Sequence, residues 1–301
     1  MSLMRRLLNL SLALTERPFL ARSSDHMHAR AAFERKARFW FRPPRGSAFR
    51  WGALEADGRE VATLWVTGHG ARQGGALLYL HGGGYFMGSP NTHRAMVAHL
   101  STMSGLPACL PAYHLAPESP FPAAYRDAWT AWDGLLAEGY DPHRIVLGGD
   151  SAGGGLALAL LAGLMGAGRP GPRMTFAFSP FTDLTLSGAS LRHNRASEVL
   201  LPPERMKEVV DGYLAGADPR DPRASPLFAD FTGAGPVRVY ASSTEILLDD
   251  SRRMAAMLSS QGVDATAVVV PGLPHAWPIF TGLLPEARRT LVDLADRMPA
   301  W

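Results

Sequence analysis

Short runs of apolar residues alternate along the chain with longer segments in which apolar and polar residues follow a helical period. The short runs are rich in β-branched and aromatic residues, which is typical of strands buried on both faces. They are Phe49–Leu54, Val61–Val66, Ala76–Leu80, Ala108–Ala112, Arg144–Leu147, Met174–Phe178, Val237–Ala241 and Thr266–Val270. Strands that alternate with helices form mostly parallel sheets, so the pattern predicts one sheet of about eight strands.

The intervening segments predict helices on both faces of this sheet. They are His93–Ser104, Ala123–Glu138, Ala152–Met165, Asp249–Gln261 and Pro285–Arg297. Residues 1–45 have a helical, polar-rich pattern that ends at Pro43-Pro44, and residues 186–216 lack strand patterns. We therefore expect an α/β domain over residues 46–301 and an N-terminal helical cap segment over residues 1–45, with residues 186–216 contributing to the cap.

Composition and charge exclude several classes of protein. The 301 residues are 47% hydrophobic and 19% charged with a formal net charge of +3, as in an ordinary globular protein. The arginines between Arg22 and Arg45 are interpreted as the solvated face of amphipathic helices, and no nucleic-acid-binding module accompanies them. No apolar run reaches the roughly 18 residues that a membrane span needs, so we expect no stable membrane insertion. The N-terminus lacks a clean signal-peptide cleavage site, and a cytoplasmic location is the expectation.

The single cysteine, Cys109, excludes an intrachain disulfide framework. It lies in the apolar run Leu106–Leu110, where a small buried hydrophobic residue is the expected role. Metal-ligand pairs at structural zinc spacing are absent from the sequence. We therefore expect neither a metal nor a cofactor.

The segment Gly149–Gly153 fits the pattern G-x-S-x-G. It directly follows the apolar run Arg144–Leu147 and precedes the helical stretch Leu156–Met165. A strand, a sharp turn and a departing helix form the context that exposes a nucleophilic serine. The flanking glycines leave room for neighbouring backbone, so the Ser151 hydroxyl can stand at the carboxyl end of the sheet. Ser151 is the candidate nucleophile.

A serine hydroxyl is a poor nucleophile at neutral pH and needs a base. His275 lies just after the last predicted strand, and apart from His193 it is the only histidine after Ser151. In the strand–turn–helix type of hydrolase the chain order is serine, acid, histidine. His275 is therefore the candidate base.

Three carboxylates follow the strand Val237–Ala241 and are candidates for the acid that orients this histidine. Asp249 and Asp250 also suit the first turn of the next helix, where the helix dipole favours negative charge. Glu245 precedes that helix on the loop that leaves the strand, where a carboxylate can face the histidine. We prefer Glu245 and keep Asp249 as the alternative.

The segment His81-Gly82-Gly83-Gly84-Tyr85 follows the predicted strand Ala76–Leu80. Three consecutive glycines expose backbone N–H groups that side chains would otherwise obstruct. Together with the N–H of Ala152, they can stabilise a developing oxyanion. His81 is interpreted as bracing this loop rather than as a second base.

In several motifs the sequence resembles the hormone-sensitive-lipase-like branch of the α/β-hydrolase carboxylesterases. The motifs are His81–Gly84, Tyr113–Glu118, Pro120–Ala124, Asp141–Ile145, Gly149–Gly154, Ser179–Leu184, Ser225–Leu227 and Pro274–Trp277. The resemblance covers the chain from about residue 46 onward and is highly specific in combination. It implies an α/β-hydrolase fold with a helical cap over the substrate site, and hydrolysis of carboxylic esters with small or medium acyl groups, without metal or cofactor.

The resemblance also assigns roles to individual residues. It places the nucleophile on Ser151, the base on His275, the acid on Glu245 and the oxyanion donors on Gly83, Gly84 and Ala152. Many members carry Asp-Pro-Leu-x-Asp where this chain has Glu245–Asp249, so the acid departs from the usual pattern. Pro111–His114 also replaces the Asp-Tyr-Arg that the family tends to show, which we expect to alter local bracing only.

The expected partner is a small-molecule ester, bound in an apolar pocket. The predicted wall residues are Tyr85, Phe86, Met87, Phe181, Leu200 and Leu201, each of which also suits core or cap packing. Amides and lactones remain alternatives because the same catalytic groups serve them. A non-catalytic ligand-binding protein on the same scaffold is disfavoured because His275 is present, and a long-chain lipase because no long apolar lid is evident. A homodimer stays open, since edge-strand dimers are common in the family.

Overall fold

The computed structural model describes residues 2–23, 25–71 and 74–298, and within them eight strands form one sheet. The strands are β1 (Ala48–Ala56), β2 (Arg59–Thr67), β3 (Ala76–Leu80), β4 (Ala108–Pro111), β5 (Ile145–Asp150), β6 (Met174–Phe178), β7 (Val237–Ser242) and β8 (Ala265–Val270). Their order is β1-β2-β4-β3-β5-β6-β7-β8, and β2 runs opposite to the other seven strands. The prediction of a mostly parallel eight-stranded sheet is confirmed.

Ten α-helices lie in the same described residues. They are α1 (Leu3–Leu14), α2 (Glu16–Arg22), α3 (His26–Trp40), α4 (Pro90–Ser104), α5 (Ala123–Ala137), α6 (Ser151–Gly166), α7 (Ser190–His193), α8 (Met206–Leu214), α9 (Leu248–Ser260) and α10 (Pro285–Arg297). The start of α4 differs most from its prediction, because the Ser89 side chain accepts from the backbone N–H of Thr92 and Pro90 occupies the first turn. A serine cap followed by proline is a strong start signal for a helix.

The sheet separates two hydrophobic layers. On one face α5 and α6 pack their apolar sides together, with Trp132 and Leu160 fully buried. On the other face α4 and α10 do the same, with Val97 and Leu291 fully buried. Strands covered on both faces carry continuous apolar runs, and all five residues of β3 are buried.

Polar contacts join the N-terminal helices to the rest of the chain. In α1, the buried Arg5 donates to the carbonyl of Pro271 at 2.7 Å, and Asn9 donates to that of Gly272 at 3.0 Å. In α3, Arg30 forms a bidentate pair with Glu118 at 2.7 and 2.9 Å. Helices α1 and α3 are thereby held against the loops at the carboxyl edge of the sheet. Residues 186–216, the second predicted part of the cap, contain α7 and α8.

Candidate active site

Ser151 lies at a sharp turn between a strand and a helix. β5 ends at Asp150 and α6 begins at Ser151, whose φ of 52° lies in the left-handed region. Such a conformation costs a non-glycine residue on the order of 1–3 kcal/mol. A Cβ on Gly149 would lie 2.4 Å from the carbonyl oxygen of Gly153, and one on Gly153 would lie 2.2 Å from that of His81. Only glycine allows these approaches, and they hold the turn that presents the Ser151 hydroxyl.

His275 contacts the Ser151 hydroxyl from the loop after β8. Its Nε2 lies 2.9 Å from Ser151 Oγ, and its Nδ1 lies 2.7 Å from Glu245 Oε2. An ionised carboxylate only accepts hydrogen bonds, so Nδ1 carries the proton and Nε2 is free to accept from the serine. Burial alone would lower the pKa of His275, but the hydrogen bond and charge of Glu245, with the charge of Glu198, raise it above 6.5.

Glu245 is the carboxylate that the fold brings to His275. It lies between β7 and α9 with its side chain fully buried, and its Oε1 accepts from the Ser242 N–H at 2.9 Å. Asp249 instead accepts from the Ser190 N–H at 2.9 Å. Asp250 accepts from the N–H groups of Thr182 and Asp183, and burial raises its pKa to about 7. The two aspartates thus anchor the segment after β6.

The glycine loop after β3 is held open by close backbone approaches. Gly83 has a φ of 125°, and a Cβ there would lie 2.1 Å from the carbonyl oxygen of Met87. In the described residues no acceptor takes the N–H of Gly83 or Gly84. The N–H of Ala152, in the first turn of α6, belongs to the group of helix donors that lack an intrahelical partner. These are the three N–H groups that the sequence proposes as oxyanion donors.

The Asp150 carboxylate holds this glycine loop by a hydrogen bond to its backbone. Its Oδ1 accepts from the Gly82 N–H at 3.0 Å and from the Tyr79 hydroxyl at 2.7 Å. Burial alone would raise the pKa of Asp150, but the charge and hydrogen bond of His93 and the hydrogen bond of Tyr79 lower it. Asp150 lies inside the serine motif, yet its role in holding this loop is not visible in the sequence pattern.

His81 is packed as a neutral ring. It stacks on Tyr113 with ring centroids 4.2 Å apart, and the Tyr113 hydroxyl donates to the His81 carbonyl at 2.6 Å. Burial, followed by the charge of His93, lowers the pKa of His81 to about 3. A ring that remains neutral at physiological pH and packs in this way supports the bracing role that the sequence predicts.

A cavity of about 830 Å³ extends from Ser151 and His275 toward the N-terminal helices. Five of the six predicted wall residues line it, namely Phe86, Met87, Phe181, Leu200 and Leu201. Tyr85, the sixth, does not line this cavity: its side chain is 1% exposed and its ring stacks on Tyr213, with centroids 3.7 Å apart. Its carbonyl accepts from the Ala116 N–H at 2.9 Å, and with its buried, stacked ring Tyr85 belongs to the packing beneath the wall.

Glu198 is a buried carboxylate that no sequence pattern predicts. It is 2% exposed, and its Oε1 accepts from the N–H groups of Leu200 and Leu201 at 2.9 and 3.2 Å. Its Oε2 accepts from the N–H of Ile246, the residue after Glu245, at 3.0 Å. Burial raises the pKa of Glu198, and the nearby charge of Glu245 adds to the rise. Glu198 therefore joins a cavity wall to the loop that carries Glu245.

Three further features bear on the chemistry of the described residues. Within them, no group of three or more His, Cys, Asp and Glu side chains is placed to hold a metal ion. Cys109 is fully buried, and burial raises the pKa of its thiol well above the ordinary value. None of the helices in the described part of the chain is long and apolar enough to cross a membrane.

Comparisons of the sequence and of the structure with known proteins point to the same family. The sequence pattern of the alpha/beta hydrolase fold family matches residues 77–279. An acetyl-hydrolase of Streptomyces hygroscopicus is 42% identical over 222 residues, which are 73% of this chain and 74% of that protein. An esterase of Acinetobacter venetianus is 37% identical over 221 residues, 73% of each chain. The crystal structure of an esterase from the bacterial hormone-sensitive lipase family superposes with a TM-score of 0.90 at 34% identity, covering 98% of this chain and 97% of that one. The chain therefore belongs to the α/β-hydrolase family, in its hormone-sensitive-lipase-like branch of carboxylic ester hydrolases.

Proposed function

We propose that this carboxylic ester hydrolase is a serine esterase that cleaves short- to medium-chain acyl esters through an acyl-enzyme. The observation that carries the proposal is the continuous hydrogen-bonded series Ser151–His275–Glu245, with distances of 2.9 and 2.7 Å, at the base of an apolar cavity. A nucleophile, a base within hydrogen-bond reach and a group that orients the base are the three parts of an activated serine.

In the first half of the reaction, Ser151 Oγ attacks the ester carbonyl while His275 Nε2 takes the hydroxyl proton. The buried Glu245 carboxylate holds Nδ1–H and stabilises the imidazolium that forms. The N–H groups of Gly83, Gly84 and Ala152 are the proposed donors to the oxyanion. Removal of one such donor costs roughly 10²–10³ in rate.

His275 next gives its proton to the leaving alcohol, and the acyl group stays on Ser151. Water then enters and attacks the acyl carbon while His275 takes its proton. The bond to Ser151 Oγ breaks, His275 returns the proton to Oγ, and the carboxylic acid leaves. The raised pKa of His275 favours proton uptake in each attack step, while the proton is still released to the alkoxide of the leaving group.

The shape and lining of the cavity support a small or medium apolar acyl group. Its volume of about 830 Å³ lies in the range of small-molecule sites, roughly 300–1,000 Å³. The wall residues Phe86, Phe181 and Leu201 offer apolar contact rather than charge. The name of the Streptomyces relative, an acetyl-hydrolase, supports substrates at the short end of this range.

A panel of p-nitrophenyl esters of increasing acyl length, with matched amides and lactones, tests the proposal on purified protein. We expect the highest kcat/KM for short to medium acyl esters and loss of activity in Ser151→Ala. The control is Ser260→Ala, which changes an exposed serine at the end of α9 and is expected to behave as wild type. Full activity of Ser151→Ala would overturn the mechanism, and a preference for amides or lactones would overturn the substrate class.

A further inference from the structure

The first helix presents an apolar face to solvent. Leu3, Leu7, Leu10 and Leu14 are spaced by four, three and four residues, so they share one face of α1, and they are 72, 53, 58 and 68% exposed. The opposite face is already used, since Leu12 and Arg5 are buried against the domain. Folding of the chain therefore does not require these exposed leucines.

The mouth of the active-site cavity opens through the same surface. Met4, Leu7 and Trp40 each line the cavity and are also about half exposed, at 46, 53 and 56%. Phe39 is 67% exposed and packs edge-on against Trp40 with ring centroids 5.1 Å apart. An exposed aromatic pair beside exposed leucines is typical of proteins that lie in the interfacial region of a bilayer.

The charge of this segment differs from that of the rest of the chain. Residues 2–45 hold ten Arg and Lys against three Asp and Glu, whereas the whole chain has 30 against 27. The side chains of Arg6 on α1 and of Arg35 and Arg38 on α3 are exposed. An apolar stripe accompanied by exposed arginines is complementary to anionic headgroups over hydrocarbon.

From these three observations we propose that the N-terminal segment docks on the surface of an anionic lipid bilayer, with the cavity mouth facing the lipid. The helices lie on the bilayer without crossing it. A second copy of the chain is the less suitable occupant, because a two-fold contact through this face would oppose two basic surfaces. The docking does not depend on the proposed ester hydrolysis.

Sedimentation with lipid vesicles tests the proposal. We expect the protein to partition at least about tenfold more onto vesicles of phosphatidylcholine mixed with phosphatidylglycerol than onto phosphatidylcholine alone, with the difference lost at high salt. The triple variant Leu3→Gln/Leu10→Gln/Leu14→Gln should lose binding to both. These three side chains do not line the cavity, so its activity on a soluble ester should equal wild type, which also shows that it folds.

Two controls make the result specific. Trp51→Gln/Val292→Gln removes two exposed apolar side chains on other elements and should bind as wild type. Arg6→Gln/Arg35→Gln/Arg38→Gln should lose the preference for anionic vesicles, whereas Arg59→Gln/Arg126→Gln/Arg252→Gln, an equal change in charge at other exposed sites, should keep it.

The outcomes show whether a lipid bilayer or a second copy of the chain covers this surface. Equal binding of wild type to anionic and neutral vesicles would overturn the proposal. A wild-type dimer that the triple leucine variant converts to monomer, without vesicle binding by either, would identify the face as an interface between copies instead. Vesicle binding needs no turnover, so Ser151→Ala should sediment with vesicles as wild type does. The docking result is therefore independent of whether the protein hydrolyses esters.

Discussion

Glu245 and His275 lie thirty residues apart in the chain, and Glu245 Oε2 accepts from Nδ1 of His275 at 2.7 Å. Both side chains are almost completely buried, with 0 and 3% of their surface exposed. Away from water, the attraction between a carboxylate and an imidazolium is much stronger than at the surface. This contact therefore fixes both the tautomer and the orientation of the histidine that faces Ser151.

Substitution of each candidate carboxylate in turn tests whether Glu245 or Asp249 is the acid that orients His275. Glu245→Gln should lower kcat/KM by about 10²–10⁴, because an amide neither stabilises the imidazolium nor favours the correct tautomer. Asp249→Asn, which changes the residue that accepts from Ser190, should stay within a few-fold of wild type. Steady-state kinetics on one soluble ester measures both. Loss of activity in Asp249→Asn alone would show that Glu245 is not the acid.

The pH dependence follows from the groups around His275. The base must be neutral to accept the serine proton, so kcat/KM rises with pH through the His275 pKa. That pKa is raised, against the effect of burial, by Glu245 and by the charges of Glu198 and Asp150. The acid limb should therefore have a midpoint above 6.5. In Glu245→Gln the main cause of the rise is absent, and the midpoint of the residual activity should move to lower pH.

A pH profile of kcat/KM between about pH 5 and about pH 9 measures this shift. The Asp249→Asn variant supplies the control, since it removes one negative charge from the same segment after β7. A midpoint that moves equally in both variants would indicate a general charge effect rather than the contact with His275.

The architecture could be predicted well from sequence because its signals are local. A strand buried on both faces, such as Ala76–Leu80, is apolar at each position, and the strand–turn–helix around Ser151 lies in consecutive residues. The choice among the candidate acids is different, because the sequence alone leaves it open. Three carboxylates follow β7 within eight residues, and only the path of the loop decides which of them reaches His275.

Contacts between distant residues explain the remaining differences. Tyr85 belongs to an aromatic pair in the sequence, yet its ring turns inward to stack on Tyr213, more than a hundred residues away. Glu198 has no local pattern that marks it as buried, because its burial depends on Ile246 and on the packing of the cap. Sequence periodicity reports which face of an element is apolar, and it carries no information about such pairs.

Glu198 is expected to act through its neighbours rather than on the substrate. Glu198→Gln places an amide NH₂ against backbone N–H donors that the carboxylate satisfies, so it should cost about 1–3 kcal/mol of unfolding free energy. It should also raise KM, since Leu200 and Leu201 line the cavity, and lower the midpoint of the acid limb. A purely structural role would reduce stability without moving that midpoint.

Chemical denaturation and the pH profile together measure these effects. Glu204→Gln is the matched control, because Glu204 lies on the same loop with 44% of its side chain exposed. Its unfolding free energy and its pH midpoint should both equal those of wild type.

The glycine loop gives a test of the proposed oxyanion donors. A Cβ at Gly83 would lie 2.1 Å from the Met87 carbonyl oxygen, and its φ of 125° disfavours any side chain, so Gly83→Ala must displace the loop. We expect kcat to fall by about 10²–10³, the typical loss when one oxyanion donor is misplaced. Gly166→Ala is the matched control, since an added Cβ there meets nothing within 4 Å at the end of α6. That variant should keep full activity and gain about 0.4–1 kcal/mol of stability through a less flexible unfolded chain. Near-normal kcat in a folded Gly83→Ala protein would remove Gly83 from the proposed donors.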